Sequence, residues 1–354
     1  MKNLYRAIGI MSGSSLDGLD ICLSSFSELN NSWDFEIERA TTTNIPEGLK
    51  EQLRNSTGMD AEALEALDIE YGIWVGEAVK QFIHSIKGEI DLVALHGHTV
   101  FHEPAQGISK QLGKGALVAE ICGIDVVDDF RIDDIRLGGQ GAPLVPVGEY
   151  HLFKGFEGFV NLGGIANISV LRGDEIKAWD ICPCNQVLNY FSAILGKSFD
   201  DGGALAKAGE INQSWLEGLQ ELDFFQKEGP KSLSNQWGYE NIINRTKLDA
   251  SDVLRTYTQL ITDMISSDIS RNVSKGSKVL FTGGGAYNSF LIELMKHNLS
   301  GDAQVSIPEK DIIEFKEALI FGFLGLLKKL GRPNVFASVT GATADSVSGT
   351  IHKP

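Results

Sequence analysis

The loop Gly13-Ser14-Ser15-Leu16-Asp17-Gly18 has the residue types that can hold the phosphate groups of a nucleotide. Glycine lets the backbone approach a ligand closely, so that main-chain N–H groups can point at phosphate oxygens. The carboxylate of Asp17 could hold Mg²⁺ directly or through water. An ordinary β-hairpin turn is the competing interpretation, because Gly and Ser are also favoured there.

Two further glycine turns follow strand-like runs. Gly163-Gly164 repeats the pattern of the first loop, and in both copies two more strand-like runs follow the turn. The triple glycine Gly283-Gly284-Gly285 ends a third run and would give a ligand access to the backbone at the carboxyl end of a strand. Its spacing is not G-x-G-x-x-G, which disfavours a dinucleotide site of the Rossmann type.

Asp180 ends a strand-like run and precedes Asn185, where a helix is predicted to begin. A carboxylate at a strand end, beside a helix N-terminus and a glycine loop, is well placed to act as a general base. The same position would suit an aspartate that closes a turn or caps the helix. The residue types alone leave these alternatives open.

Three more polar residues are candidates for binding a ligand. Thr99 follows a buried strand, and strand-end loops carry binding groups in α/β folds. Arg131 could clamp a carboxylate or phosphate, or it could form a surface ion pair with Asp133 or Asp134. Glu317 lies in an apolar helix and could face either a cleft or solvent.

The order strand, glycine turn, strand, strand occurs twice along the chain. This repeat predicts two related lobes, which would position these sites. Strands that alternate with amphipathic helices predict an α/β architecture. A charged and then glycine-rich stretch at residues 128–140 predicts the join, which gives a first lobe at residues 1–130 and a second at residues 131–354.

The composition limits the partners. The 354 residues carry a net charge of −16, which argues against nucleic acid and anionic membranes, since both favour basic patches. The N-terminus lacks a signal-peptide core and no apolar stretch is long enough to span a bilayer, so a cytoplasmic location is expected. The four cysteines do not suggest a disulfide framework in a chain of this length.

With these motifs, the chain resembles the anhydro-N-acetylmuramic acid kinases, members of the actin-like and hexokinase-like ATPase superfamily. Met11-Ser12-Gly13-Ser14-Ser15-Leu16-Asp17-Gly18 is similar to that family's M-S-G-T-S-L-D-G, and His96-Gly97-His98-Thr99-Val100 is similar to H-G-Q-T-V. Further matching segments are residues 129–131, 138–146, 161–167, 283–288 and 339–342. The resemblance covers nearly the whole chain.

The resemblance implies an α/β fold of two lobes with related actin-like or hexokinase-like (ribonuclease H-like) topology, mixed β-sheets flanked by helices, and an interlobe cleft. It implies ATP-dependent phosphorylation of 1,6-anhydro-N-acetylmuramic acid, with Mg²⁺, while water opens the anhydro ring. The product would be N-acetylmuramic acid 6-phosphate, in cytoplasmic peptidoglycan recycling. A homodimer is expected, with no nucleic-acid or membrane partner.

The resemblance also implies a role for each candidate residue. Asp180 would be the base on the water that attacks C1, and the departing O6 would take the γ-phosphoryl group. Thr99, Arg131 and Glu317 would bind the sugar, with Arg131 toward its lactyl carboxylate. The residues that would bind the nucleotide are Gly13, Ser14, Ser15, Leu16, Asp17, Gly18, Asp20, Gly163, Gly164, Gly283, Gly284 and Gly285.

One segment departs from the family pattern. The family usually has D-x-G-P-G-N and a further Asp four residues on, whereas this chain has Asp180-Ile181-Cys182-Pro183-Cys184-Asn185 and Asn189. A cysteine would be strained at either glycine position if the backbone there were left-handed. This departure leaves two alternatives open, namely a non-catalytic sensor of nucleotide or cell-wall sugar, and a kinase of a different sugar.

Overall fold

The computed structural model describes residues 4–13, 16–173 and 175–354, and the chain forms two compact units. Unit 1 consists of Met1–Lys154 and Phe315–Pro354, and unit 2 consists of Gly155–Glu314. Each unit is built on one main β-sheet flanked by helices, which confirms the predicted α/β class. Over the described ranges, no helix combines the length and the apolar character that a membrane crossing requires.

Unit 1 contains a six-stranded sheet of order β13-β7-β4-β1-β2-β3, and a separate pair, β5 with β6. Its strands are β1 (Leu4–Met11), β2 (Leu19–Leu29), β3 (Ser32–Thr43), β4 (Leu92–Leu95), β5 (His98–Glu103), β6 (Ile108–Leu112), β7 (Val126–Asp128) and β13 (Thr350–His352). Its helices are α1 (Glu47–Asn55), α2 (Ala61–Ile83), α3 (Gly115–Cys122), α4 (Ile132–Arg136), α5 (Val145–Leu152), α13 (Lys310–Lys329, of which residues 315–329 belong to this unit) and α14 (Ala337–Thr340).

Unit 2 contains a five-stranded sheet of order β10-β9-β8-β11-β12. Its strands are β8 (Phe156–Leu162), β9 (Ile165–Arg172), β10 (Glu175–Pro183), β11 (Lys278–Thr282) and β12 (Gln304–Ser306). Its helices are α6 (Asn185–Ile194), α7 (Ala204–Ala208), α8 (Gln213–Gln220), α9 (Asp223–Gln226), α10 (Asn235–Asn241), α11 (Ala250–Asn272) and α12 (Ser289–Asn298).

The two sheets share one topology, as the repeat in the sequence predicts. In unit 1, β1, β2 and β3 form an antiparallel meander, and β4 and β7 then add parallel to β1. In unit 2, β8, β9 and β10 form the meander, and β11 and β12 add parallel to β8. The predicted two lobes of related topology are therefore confirmed.

The division of the chain differs from the predicted lobes at residues 1–130 and 131–354. The first unit extends to Lys154 and takes back the C-terminal segment from Phe315 onward. The reason is long-range pairing, because β13 adds as an edge strand antiparallel to β7, with Ile351 opposite Val127. A three-residue strand so far along the chain has no local sequence signal that assigns it to the first sheet.

Gly9 of β1 permits a close approach of helix α13 to the sheet of unit 1. A Cβ at this position would lie 1.7 Å from the carbonyl oxygen of Ala318 and 2.6 Å from the main-chain nitrogen of Gly322, both on α13. Backbone atoms cannot move aside as a side-chain tip can. The approach of α13 to the centre of the sheet therefore depends on glycine here.

We expect Gly9→Ala to destabilise unit 1 by about 3 kcal/mol or more, because the new methyl group forces α13 away from β1. Urea unfolding followed by circular dichroism measures the loss. Gly48→Ala on α1 is the matched control, because a Cβ there meets nothing within 4 Å. A Gly9→Ala protein as stable as the Gly48→Ala protein would contradict this account of the packing.

Candidate active site

In unit 1, the polar segments noted in the sequence follow three neighbouring parallel strands. β1 leads into the loop at residues 13–18, β4 leads into His96, and β7 leads into Asp129 and Arg131. The carboxyl ends of parallel strands meet at one edge of a sheet, which is where α/β folds bind ligands. The sheet therefore brings the first glycine loop and the predicted sugar contact Arg131 to the same edge.

The first glycine loop is anchored by its own backbone and by one buried side chain. The N–H of Leu16 donates to the carbonyl oxygen of Gly13 at 3.1 Å, so it is not free for a phosphate. Leu16 has a φ of 58° and its side chain is buried in the core, whereas Asp17 is exposed. Ser14 and Ser15, which are also predicted to bind phosphate, lie outside the described residues.

Gly18 and Asp20 join this loop to the neighbouring strand β3. A Cβ at Gly18 would come within 2.4 Å of Thr42 Cγ2, and Thr42 Oγ1 donates to Asp20 Oδ1 at 2.6 Å. Asp20 is therefore held by a side chain of its own sheet. Its negative charge also raises the pKa of Glu317.

Arg131 is held inside unit 1 by two hydrogen bonds. One terminal nitrogen donates to the carbonyl oxygen of Gly141 at 2.7 Å, and the other lies 2.7 Å from His96 Nε2. A guanidinium only donates, so His96 Nε2 is the acceptor and the imidazole proton lies on Nδ1. Burial and the Arg131 charge hold the pKa of His96 well below its usual range, so the ring stays neutral.

The guanidinium stays charged although it is buried. Burial lowers the pKa of Arg131 to about 10, and the nearby carboxylate of Glu317 opposes that shift. The alternative interpretation, a surface ion pair of Arg131 with Asp133 or Asp134, is wrong, because Asp133 pairs with Arg136 at 3.0 Å and Asp134 bonds elsewhere. A buried, preorganised cation of this kind is suited to binding an anion.

Glu317 and Thr99 complete the candidate groups of unit 1. Burial raises the pKa of Glu317, whereas the positive charge of Lys316 lowers it. The negative charge of Asp20 raises this pKa further, and the positive charge of Arg131 lowers it. Glu317 and Arg131 are therefore close enough to act on each other electrostatically. Thr99 lies half-buried on β5, the strand that follows His96 and Gly97, and pairs with Gln111 of β6.

Asp134 supports the site in a way that sequence reasoning missed. It is fully buried, its Oδ2 accepts the N–H of Gly141 at 2.7 Å, and its Oδ1 accepts the hydroxyl of Thr340 at 2.7 Å. Gly141 in turn supplies the carbonyl oxygen that holds Arg131. Two of the matching segments, at residues 138–146 and 339–342, thus meet around one carboxylate.

In unit 2, the turn at Gly163-Gly164 is fixed to the start of α6. The carbonyl oxygen of Gly164 accepts the N–H of Cys184 at 2.7 Å, and that of Gly163 accepts the N–H of Asn185 at 3.0 Å. The first N–H groups of α6 are therefore used by the turn and do not form an anion site of their own. Gly164 remains exposed, and a Cβ there would meet nothing within 4 Å.

The triple glycine lies next to this turn, because β11 and β8 are parallel neighbours. Gly283 has a φ of 79°, and a Cβ there would lie 2.6 Å from Asn161 Oδ1. A Cβ at Gly285 would lie 2.6 Å from Leu162 Cβ, and Gly284 lies close to Asn185. The two glycine turns of unit 2 are thus brought together, which places bare backbone along one edge of the sheet.

Asp180 lies on the same sheet, at an irregularity in the pairing of β10 with β9. The register shifts between Asp180 and Cys182, and such a bulge re-aims a side chain. The Asp180 carboxylate accepts the N–H of Leu233 at 2.8 Å and the hydroxyl of Ser232 at 3.2 Å. Burial raises its pKa, and these hydrogen bonds oppose the shift. The helix-cap alternative is wrong, because Cys184 is the N-cap of α6.

Cys182 and Cys184 fit the fold without the left-handed backbone that would strain them. Both are fully buried and neither has a positive φ. Burial raises the pKa of Cys182 well above its usual range and that of Cys184 to about 12, so both remain neutral thiols. These departures from the family pattern leave Asp180 and the glycine turns in place.

Known proteins are similar to this chain over nearly its whole length. A family model described as "Anhydro-N-acetylmuramic acid kinase" matches residues 5–354. Proteins named anhydro-N-acetylmuramic acid kinase from Hydrogenovibrio crunogenus and Pseudomonas savastanoi pv. phaseolicola are 32% and 33% identical, and each alignment covers 98% of both chains. Among solved structures, the activator of the 2-hydroxyisocaproyl-CoA dehydratase from Clostridium difficile with bound ADPNP is 14% identical, with a TM-score of 0.44 over 92% of this chain and 97% of that one, a similarity too low to carry an argument.

Proposed function

The chain belongs to the anhydro-N-acetylmuramic acid kinase family, and we propose that it uses ATP to phosphorylate 1,6-anhydro-N-acetylmuramic acid at O6 while water opens the anhydro ring. The product would be N-acetylmuramic acid 6-phosphate. The observation that carries this proposal is Asp180, a half-buried carboxylate fixed by two donors on the same sheet as two glycine turns.

The chemistry follows from the position of one base. Asp180 takes a proton from water as the water oxygen bonds to C1, and the C1–O6 bond breaks. O6 then bonds to the γ-phosphorus, and the β–γ bridging oxygen leaves with ADP. Burial favours this role, since it raises the pKa of Asp180 and makes the carboxylate a better proton acceptor.

The other candidate groups would bind the nucleotide and the sugar and orient them for the reaction. Backbone at Gly163, Gly164 and residues 283–285 would contact the nucleotide, because missing side chains allow a close approach. Mg²⁺ would neutralise charge on the phosphates, and the exposed carboxylate of Asp17 is the group of the first loop that suits it. Arg131 would bind the lactyl carboxylate, with Thr99 and Glu317 on the sugar.

We expect Arg131→Lys to raise the KM for the anhydro sugar about 30-fold, because a lysine cannot keep the contacts to His96 and Gly141 while binding a carboxylate bidentately. The KM for ATP should change little. Arg136→Lys is the matched control, since Arg136 is exposed and pairs only with Asp133 among the described residues. Steady-state kinetics with each substrate varied in turn measures both effects, and an unchanged sugar KM would contradict the role given to Arg131.

A substrate panel tests the function against its alternatives. The protein is incubated with ATP, Mg²⁺ and either 1,6-anhydro-N-acetylmuramic acid, N-acetylmuramic acid or N-acetylglucosamine, and ADP release is followed. Release that requires the anhydro sugar supports the proposal. Calorimetric binding of the anhydro sugar without ADP release would indicate a sensor, and turnover of another sugar alone would indicate a different kinase.

The family also suggests the setting in which the enzyme works. Its substrate would come from degraded peptidoglycan, so the proposed reaction belongs to cell-wall recycling in the cytoplasm. The proposed form is a homodimer of two-lobed subunits. Sedimentation velocity of the purified protein, with and without ATP and the anhydro sugar, measures the oligomeric state.

A further inference from the structure

A short segment of unit 2 outside the matching motifs holds Asp180 on one side. This segment consists of Lys231, Ser232 and Leu233, between α9 and α10. The N–H of Asp180 donates to the carbonyl oxygen of Lys231 at 2.9 Å. In return, the N–H of Leu233 and the hydroxyl of Ser232 both donate to the Asp180 carboxylate. The segment thus contacts Asp180 through both its main chain and its side chain.

Both of these donors reach the same carboxylate oxygen. Leu233 N lies 2.8 Å from Asp180 Oδ2, and Ser232 Oγ lies 3.2 Å from that atom. No residue within the described ranges donates to Oδ1. The two oxygens therefore have different surroundings, because Oδ2 accepts two hydrogen bonds and Oδ1 accepts none from the described residues.

The segment is itself fixed to the body of unit 2. Lys231 Nζ donates to the carbonyl oxygens of Phe224 at 3.1 Å and Lys227 at 2.8 Å, and it lies 4.6 Å from the centre of the Phe224 ring. Just before it, Gly229 lies so close to Trp179 that a Cβ would come within 2.5 Å of the indole. A support anchored at several points can hold a carboxylate in one orientation.

From these contacts we infer that Ser232, with the N–H of Leu233, is a positioning residue that fixes Asp180 Oδ2 and so directs Oδ1 at the water that attacks C1. The inference rests on the proposed function and names a residue that no motif match assigns. Among the described residues, Asp180 is the hydrogen-bond partner of the Ser232 hydroxyl, so Ser232 acts through the base and not on the substrate.

Of the groups around Asp180, Ser232 is the one whose replacement should change the pKa of the carboxyl, because the nearby charged and titratable groups are neutral or bonded elsewhere. Cys182 on the same strand is a buried neutral thiol. Lys231 donates to two carbonyl oxygens, and Asp268 of α11 accepts the Trp179 indole N–H at 3.0 Å. A hydroxyl that donates to a carboxylate stabilises its charged form, so loss of Ser232 should raise the pKa of Asp180 further.

The first test is the pH dependence of kcat/KM for the anhydro sugar in Ser232→Ala. We expect the acidic limb to move to higher pH, with a loss of about tenfold on that limb and less than about threefold at alkaline pH. Ser232→Thr keeps the hydroxyl and should restore the wild-type profile. Ser234→Ala is the matched control, because it removes the cap of α10 without touching Asp180. A loss equal at every pH, or one shared by Ser234→Ala, would overturn the inference.

A second readout separates this inference from the proposed function. The carboxyl carbons of the Asp residues are labelled with ¹³C. The signal of Asp180 is identified because it is missing from the NMR spectrum of Asp180→Asn, and its chemical shift is then followed as the pH is changed. The midpoint should be higher in Ser232→Ala than in the wild type and should return in Ser232→Thr. An unmoved midpoint overturns the role of Ser232 whatever the substrate. A moved midpoint in a protein that never turns over the anhydro sugar would keep the contact of Ser232 with Asp180, but it would overturn the proposed function and with it the direction of Oδ1 at the attacking water.

Discussion

Replacing Asp180 with Asn should lower kcat about 10³-fold, because an amide cannot take a proton from the attacking water. The amide oxygen can still accept the N–H of Leu233, so the fold around β10 should remain. The KM for ATP should change little, since the phosphates meet other groups. Single-turnover kinetics with the anhydro sugar and ATP measures the loss directly.

The matched control for this variant is Asp268→Asn, which changes a carboxylate of the same unit. Asp268 accepts the indole N–H of Trp179, the residue before Asp180, and has no part in the proposed proton transfer. It should keep kcat within about threefold of the wild type. An Asp180→Asn enzyme with similar activity would show that another group is the base.

Replacing Lys316 with Met should cost about 3–5 kcal/mol of the free energy of unfolding, because it leaves the Glu149 carboxylate buried without its partner. Lys316 Nζ lies 2.7 Å from Glu149 Oε1, and both side chains are at most 4% exposed. The second oxygen, Glu149 Oε2, is buried and has no hydrogen-bond partner within the described residues. Urea unfolding measures the loss, which should appear in the transition of unit 1.

A double variant shows whether the uncompensated charge is the cause. Lys316→Met with Glu149→Leu replaces the pair by apolar side chains of similar size and should recover most of the lost stability. This recovery would distinguish a charge effect from damage to the contact of α13 with α5. A Lys316→Met protein that loses less than about 1 kcal/mol would contradict the buried pair.

The sequence predicted the parts of the fold that have local signals. The order strand, glycine turn, strand, strand occurs twice in the sequence, and it predicted the shared topology of the two sheets. This prediction was possible because strand patterns and turn glycines are signals between residues that are close in sequence. The nearness of the glycine turns at residues 163–164 and 283–285 follows from the pairing of β8 with β11. The sequence did not predict that pairing, which joins strands more than 100 residues apart.

The sequence could not show contacts that join distant segments. No local sequence pattern indicates that Arg131 bonds to His96 and Gly141. Likewise, none indicates that Asp134 accepts the hydroxyl of Thr340, which lies 206 positions away. Ser232 likewise lies 52 positions from the carboxylate it contacts. Each of these contacts depends on the packed tertiary structure, which periodicity and capping rules do not describe.

Water labelled with ¹⁸O gives the most direct test of the central claim, that Asp180 drives water onto C1 while O6 receives the phosphoryl group. The protein is incubated with ATP, Mg²⁺ and 1,6-anhydro-N-acetylmuramic acid in labelled water, and the product is fragmented by mass spectrometry at once. The account predicts one heavy oxygen on C1, none in the 6-phosphate, and product formation about 10³-fold slower with Asp180→Asn. A phosphorylated sugar with its anhydro ring intact, or label in the phosphate, would contradict it.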